Sequence, residues 1–215
     1  MKKITRKIVA AMSAAVLSAV PMINSFSANA AVTVTKYKTY VLYNGANNSN
    51  IAYFDFTLNY TTGVTAEKSE PTSLCKNGFD SSNNTSSRKV VNYYSGQAIG
   101  ATGTLCSTKF IVPMDTDSIY DVVSRSNVTI RNANGVTLAP TSIYMEEVLL
   151  GDVDLNGVVN NNDAELIMNA LSNPDKYRLS AKQIDAADVC NRGGGVTAVD
   201  ALTIQEYVQG QITHF

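Results

Sequence analysis

From residue 32 to residue 148, apolar and polar side chains alternate in short runs separated by Asn, Ser and Gly. The clearest run is Ala52–Tyr60, where Tyr53, Asp55, Thr57 and Asn59 alternate with Phe54, Phe56, Leu58 and Tyr60. A period of two with one apolar face is the signature of a half-buried strand. Similar runs occupy Val32–Thr35, Tyr40–Tyr43, Lys89–Tyr94, Thr104–Val112, Val128–Ile130 and Ser142–Val148, with turn signals at Asn44-Gly45 and Asn134-Gly135. Seven or eight such strands without a competing helical period predict an all-β sandwich of two antiparallel sheets over 32–148. The Ser- and Asn-rich stretch Ser69–Ser87 reads as a long loop.

Beyond residue 150 the period changes. Leu166, Ile167, Ala170 and Leu171 form a helical stripe that Pro174 closes. Val159, Asn160, Asp163, Ile167, Ala170 and Leu171 recur 37 residues later as Val196, Thr197, Asp200, Ile204, Tyr207 and Val208. Repetition at a fixed offset marks a duplicated loop–helix unit. Ser180–Ala187 supplies a short helix between the copies. The pattern therefore predicts two domains, the sandwich at 32–148 and an all-α module at 151–215.

Residues 1–30 read as a secretory signal peptide: Lys2, Lys3, Arg6 and Lys7, then an apolar run from Ile8 to Ile23, then Ala28-Asn29-Ala30. That reading places the mature protein outside the cell, with no membrane span. Of the 215 residues 45% are hydrophobic and 16% charged, which excludes disorder as the main state, and the net charge of −1 excludes a strongly basic nucleic-acid binder. The total conceals a division. Residues 31–150 carry nine acidic and nine basic side chains, whereas 151–215 carry nine acidic against four basic.

The excess acids fall into a spacing with chemical meaning. Asp152, Asp154, Asn156, Asn160 and Asp163 stand at positions 1, 3, 5, 9 and 12 of a loop, with the Val158 carbonyl at position 7 and Gly157 at the sharp turn. This is the hard-oxygen cage that Ca²⁺ takes, with Asp in place of the usual Glu at position 12. Val159 at position 8 is expected to pin the loop to the core. The second copy departs from this pattern. Asp188 lies 36 residues after Asp152 but Asp200 lies 37 after Asp163, so one extra residue sits in Cys190–Gly195. Asp188, Thr197 and Asp200 keep ligand positions and Asn191 is a candidate for a middle one, while Arg192 and Cys190 are unsuited to calcium. A second, weaker calcium site is expected there.

In the sandwich the nine carboxylates form no pair with a spacing that brings two acids together, so the reading is a non-catalytic protein. A small glycoside hydrolase stays open as an alternative, because such pairs assemble through folding. Tyr37, Tyr40, Tyr43, Tyr93 and Tyr94 are candidates for sugar stacking, for an interface or for plain strand positions. Cys75 and Cys106 could pair in an oxidising compartment, leaving Cys190.

Two resemblances add to this reading. Ala52–Tyr60 followed by Gly63-Val64, then Tyr94–Gln97 through Gly103–Val112, Tyr120–Val123 and Val128–Ile130, resemble the core strands of cohesin modules, a jelly-roll group that also includes carbohydrate-binding modules. The loop–helix duplication, with Gly151-Asp152-Val153-Asp154 and Ala186-Ala187-Asp188-Val189 leading into its copies, resembles the type I dockerin over all of 151–215. That resemblance implies a Ca²⁺-dependent fold, EF-hand-like in its loops, that plugs into a cohesin on a scaffoldin. Asn161, Asn162, Met168 and Asn169 match the positions through which dockerins read their cohesin. The function expected is a secreted adaptor of a cellulosome-like polysaccharide-degrading complex at the bacterial cell surface. Its sandwich would receive another dockerin-bearing protein or, alternatively, hold the complex to a polysaccharide.

Overall fold

The structure is a computed structural model that describes residues 34–215; the leader expected at 1–30 lies outside the described residues. The first sheet orders its strands β10 (Ile143–Leu149), β1 (Tyr37–Ala46), β8 (Gly103–Pro113) and β3 (Thr65–Ala66), with β4 (Glu70–Pro71) also paired to β8. The second orders β5 (Phe79–Asp80), β7 (Arg88–Tyr94), β2 (Ile51–Tyr60) and β9 (Val123–Asn132), with β6 (Asn84–Thr85) also on β7. Every pairing is antiparallel. The expected sandwich is therefore present.

Its core follows from the alternation. Phe54, Phe56 and Leu58 of β2 turn inward with Leu42, Val91, Leu105, Phe110, Val112 and Ile130. The Phe54 ring stacks on Phe56 at 5.8 Å and on Tyr93 at 5.3 Å between centroids. Two details differ from the pattern reading. Val34 and Thr35 precede the first strand instead of forming one. Ser69–Ser87 contains three two-residue strands, too short to show a period but fixed by the edges of β7 and β8. Among the tyrosines, Tyr40 and Tyr93 are core residues and Tyr94 is exposed.

The helical region has α1 (Asn161–Ser172), α2 (Ala181–Ala187) and α3 (Ala198–Val208). Val153, Ala164, Ile167, Ala187, Ala201 and Ile204 make its core. Leu171, expected in the buried stripe, is exposed, because the inward face of α1 runs through Asp163, Ala164 and Ile167 instead. There is no free linker before this region. The Leu150 amide donates to the Thr39 carbonyl, extending the β10 pairing, and the next amide, Gly151, donates to Ala186 of α2. Gly151 has φ +85°, and a β-carbon there would stand 2.7 Å from the Phe215 ring, so only glycine fits. Among the described residues no helix is long and apolar enough to cross a membrane.

Candidate metal centre and recognition face

The loop from Asp152 to Asp163 is organised by its own carboxylates. Asp163 sits at N3 of α1, where its Oδ2 accepts from the Asn160 amide at 2.8 Å and its Oδ1 from the Val153 and Asp154 amides at 2.7 and 3.1 Å. Asn160 is the N-cap, accepting from the Asn162 amide at 2.8 Å, so loop and helix start are locked reciprocally. At the other end Asp152 Oδ1 accepts from the Asn156 amide and Oδ2 from the Gly157 amide, both at 2.9 Å. Gly157 has φ +87°, the sharp turn that brings Asp152 over the loop.

As a result, oxygens of Asp152, Asp154 and Asp163 lie within 4.8 Å of one another. Asp163 is fully buried and Asp152 is 5% exposed. The two ion pairs among the described residues, Lys109–Glu67 and Arg192–Asp185, lie elsewhere. Three converging carboxylates with no countercharge are unfavourable as anions and form a fit for a divalent cation. Asn156 Oδ1, the Val158 carbonyl and Asn160 belong to the same loop, where Asn156 Oδ1 accepts from the Val158 amide at 2.8 Å. Burial pushes the Asp152 and Asp163 carboxyls above their ordinary value, against the opposing effect of their amide donors. A carboxyl that holds its proton more tightly folded than unfolded favours the fold below its unfolded pKa, and that stability is lost as pH rises. Protein stripped of divalent cations should therefore gain stability in the helical region on moving from about pH 7 toward about pH 4.5, and cation-loaded protein should lose it. Thermal melts followed at helical wavelengths check this. The same sign in both states would contradict it.

The second loop is built on the same frame with different contents. Asp200 is fully buried at N3 of α3, its Oδ1 accepting from the Val189 and Cys190 amides and its Oδ2 from the Thr197 amide and hydroxyl. Asp188 Oδ2 accepts from the Gly193 amide at 2.7 Å, the counterpart of Asp152 and Gly157. Asn191, the candidate middle ligand, has φ +53° and falls at the position of Leu155, φ +61°. The places of Asp154 and Asn156 are held by Cys190 and Arg192. The extra residue follows Gly193, and both Gly193 and Gly195 have positive φ. Asp188 Oδ1 is buried without a partner. The second donor set is thus short of two side-chain oxygens and fits a divalent cation poorly.

On the outer side of α1, Asn161, Asn162 and Met168 are exposed and Asn169 is half-buried. Asn161 and Met168, like Asn162 and Asn169, are seven residues apart, two helical turns, so the four share one face. Leu171 on α1 and Val199 and Leu202 on α3 are also exposed, an apolar contribution that the helical stripe did not announce. In the sandwich, Cys75 and Cys106 are buried free thiols. Cys75 donates to the Leu105 carbonyl, and burial pushes its thiol up to about 11.

Known proteins resemble this chain mainly in the helical region. Residues 150–209 match the model of the Dockerin type I domain. A xylanase/beta-glucanase of Ruminococcus flavefaciens is 38% identical over 66 residues, which make up 27% of this chain and only 8% of that protein. Among solved structures, the third ScaB cohesin of R. flavefaciens in complex with a group 1 dockerin matches at 37% identity over 29% of this chain and 90% of that one, with a TM-score of 0.28. A non-cellulosomal cohesin from the archaeon Archaeoglobus fulgidus matches at 16% identity over 49% of this chain and 75% of that one, TM-score 0.38. A Clostridium acetobutylicum cohesin matches at 12% identity over 46% and 72%, TM-score 0.40. Residues 150–209 of this chain are a type I dockerin domain.

Proposed function

We propose that this chain is a secreted, non-catalytic component of a cellulosome-type polysaccharide-degrading assembly, whose dockerin binds a scaffoldin cohesin only when calcium is bound. The observation that carries this reading is the convergence of Asp152, Asp154 and Asp163 at the head of α1, the helix that presents Asn161, Asn162, Met168 and Asn169 outward. Calcium in the first, EF-hand-like loop joins charges that otherwise repel, so its binding energy is also folding energy for the recognition helix. Asp152, Asp154, Asn156, Val158, Asn160 and Asp163 would hold it. Asp188, Thr197 and Asp200 leave the second loop with at most a weak site. The test is cohesin binding by the full chain with calcium present and removed.

For the sandwich, a role as receiver of another dockerin calls for a flat apolar face with a polar rim. The outer face of the second sheet instead presents Tyr53, Asp55, Asn59, Asn92, Tyr94 and Thr129, a surface rich in hydroxyl and amide groups. Tyr53 and Tyr94 stand opposite each other on β2 and β7, beside a groove of about 340 Å³ into which Arg131 and Asn132 also face. Arg131 lies over the Tyr53 ring at 5.7 Å. Aromatic faces beside hydrogen-bonding groups suit a pyranose ring, and this arrangement supports the glycan-anchoring role over the cohesin-like adaptor role. Tyr94 is 68% exposed, so Tyr94→Ala should leave stability unchanged and weaken retention on insoluble polysaccharide about tenfold. Pull-down of the full chain on cellulose and xylan measures this. Binding to a dockerin panel and to no glycan would return the sandwich to the adaptor role.

A further inference from the structure

The outer face of the first sheet is not free. Tyr40 and Leu42 turn into the sandwich core, which leaves Thr39, Val41 and Tyr43 on the outer side of β1. There Val41, Val148 and Leu150 share a small buried core with Ala186 of α2, flanked by Tyr43, Val189 and Phe215. Polar contacts surround it. The Tyr37 amide donates to the Thr213 carbonyl at 2.9 Å, the Phe215 amide to Thr39 Oγ1 at 3.2 Å, and the Tyr207 hydroxyl to the Tyr37 carbonyl at 2.9 Å. Lys36 Nζ donates to the Val208 carbonyl at 2.7 Å and lies over the Tyr207 ring at 5.1 Å.

Arg192 is the element of this seat that belongs to the second loop. Its Nη1 donates to the backbone oxygens of Asp185 at 2.9 Å and Asp188 at 3.2 Å. Its Nη2 donates to Asp185 Oδ1 and to the Tyr43 hydroxyl oxygen, and that hydroxyl donates to Asp185 Oδ1 at 2.8 Å. The guanidinium fork therefore ties loop position 5 to the end of α2 and to a strand of the sandwich, and its side chain is 28% exposed. In the first loop that position holds Asn156, a calcium-ligand candidate.

We infer that Arg192, Asp185 and Tyr43 form a latch through which the sandwich orders the second loop, taking the place that a bound cation has in the first. One half of the dockerin is then fixed by calcium and the other by the chain's own β-sheet. The sheet face beneath α2 is accordingly committed to this internal contact. The inference rests on the calcium reading of the first loop.

Hydrogen exchange by mass spectrometry on the full chain tests it, with calcium and after chelation, in wild type and in Arg192→Ala and Tyr43→Phe. In wild type, chelation should raise exchange about tenfold or more in peptides spanning 152–163 and leave those spanning 188–200 within about threefold. In either variant, exchange of 188–200 should rise about tenfold over wild type, in calcium and after chelation alike. Opening of both loops together in chelated wild type would overturn the latch, and so would unchanged protection of 188–200 in both variants. If 152–163 ignores chelation, the calcium reading fails, and the wild-type against Arg192→Ala comparison still decides the latch.

Discussion

Asp163→Asn is expected to reduce calcium affinity by about a hundredfold or more while leaving the calcium-free protein as stable as wild type or more so. The two halves of that result have different physical origins. In the absence of a cation, Asp163 is a fully buried carboxylate beside Asp152 and Asp154, and burial already pushes its carboxyl up. Removing the charge relieves that cost. The remaining Oδ1 of asparagine still accepts from the Val153 and Asp154 amides, although the amide group cannot accept from Asn160 as well. With calcium, the loss of a charged ligand at the closing position removes roughly 3 kcal/mol of binding. Asp163→Ala separates the effects, because it also abandons three amide donors and should cost the calcium-free fold about 2–3 kcal/mol. Calorimetric titration and thermal melts of the two variants measure both quantities. Equal calcium affinity in Asp163→Asn and wild type would mean that calcium binds elsewhere than in this loop.

The second large effect concerns the partner. Met168 is 44% exposed on the outer face of α1, with Leu171 equally exposed one turn further on. Neither contributes to the dockerin core, so Met168→Asp should cost less than about 0.5 kcal/mol of stability. At an interface the same change buries a charge where a flexible apolar side chain was seated, and a loss of about a hundredfold in cohesin affinity is expected. Asn161→Ala and Asn162→Ala should weaken binding less, about threefold to tenfold each, by removing hydrogen bonds that water replaces in the free protein. Surface plasmon resonance against a cohesin panel, alongside calcium affinities, distinguishes loss of recognition from loss of the fold. Full affinity in Met168→Asp would move the recognition face elsewhere.

The parts of this molecule legible in the sequence are those in which a local rule decides. The alternation of Tyr53–Tyr60 places β2 because each side chain takes one of two faces, and the spacing of Asp152, Asp154 and Asp163 brings three carboxylates together because loop positions are counted along the chain. The helix starts obey a local rule as well, since Asn160 and Thr197 cap against Asp163 and Asp200 three residues on, although in the sequence these four read only as ligands. What sequence could not supply was the tertiary partner. Nothing in Tyr43, Asp185 and Arg192, spread over 149 residues, signals that they meet. In the sequence Arg192 stands out only as a residue unsuited to a calcium-ligand position. Likewise Tyr40 and Tyr94 look alike in a strand, and only the packing of two sheets makes one core and the other surface. The position of Asn191 depended on where the extra residue is absorbed, which three glycines left open until the positive φ values fixed it.

Calcium in the first loop is expected to make the dockerin competent for a cohesin. Titration calorimetry of the full chain against a cohesin panel, in calcium and after chelation, measures that dependence. One-to-one binding tighter than about 1 μM to at least one cohesin in calcium, abolished by chelation and restored by added calcium, is the predicted result. Binding of equal strength in chelator, or no binding to any cohesin in calcium, would contradict it.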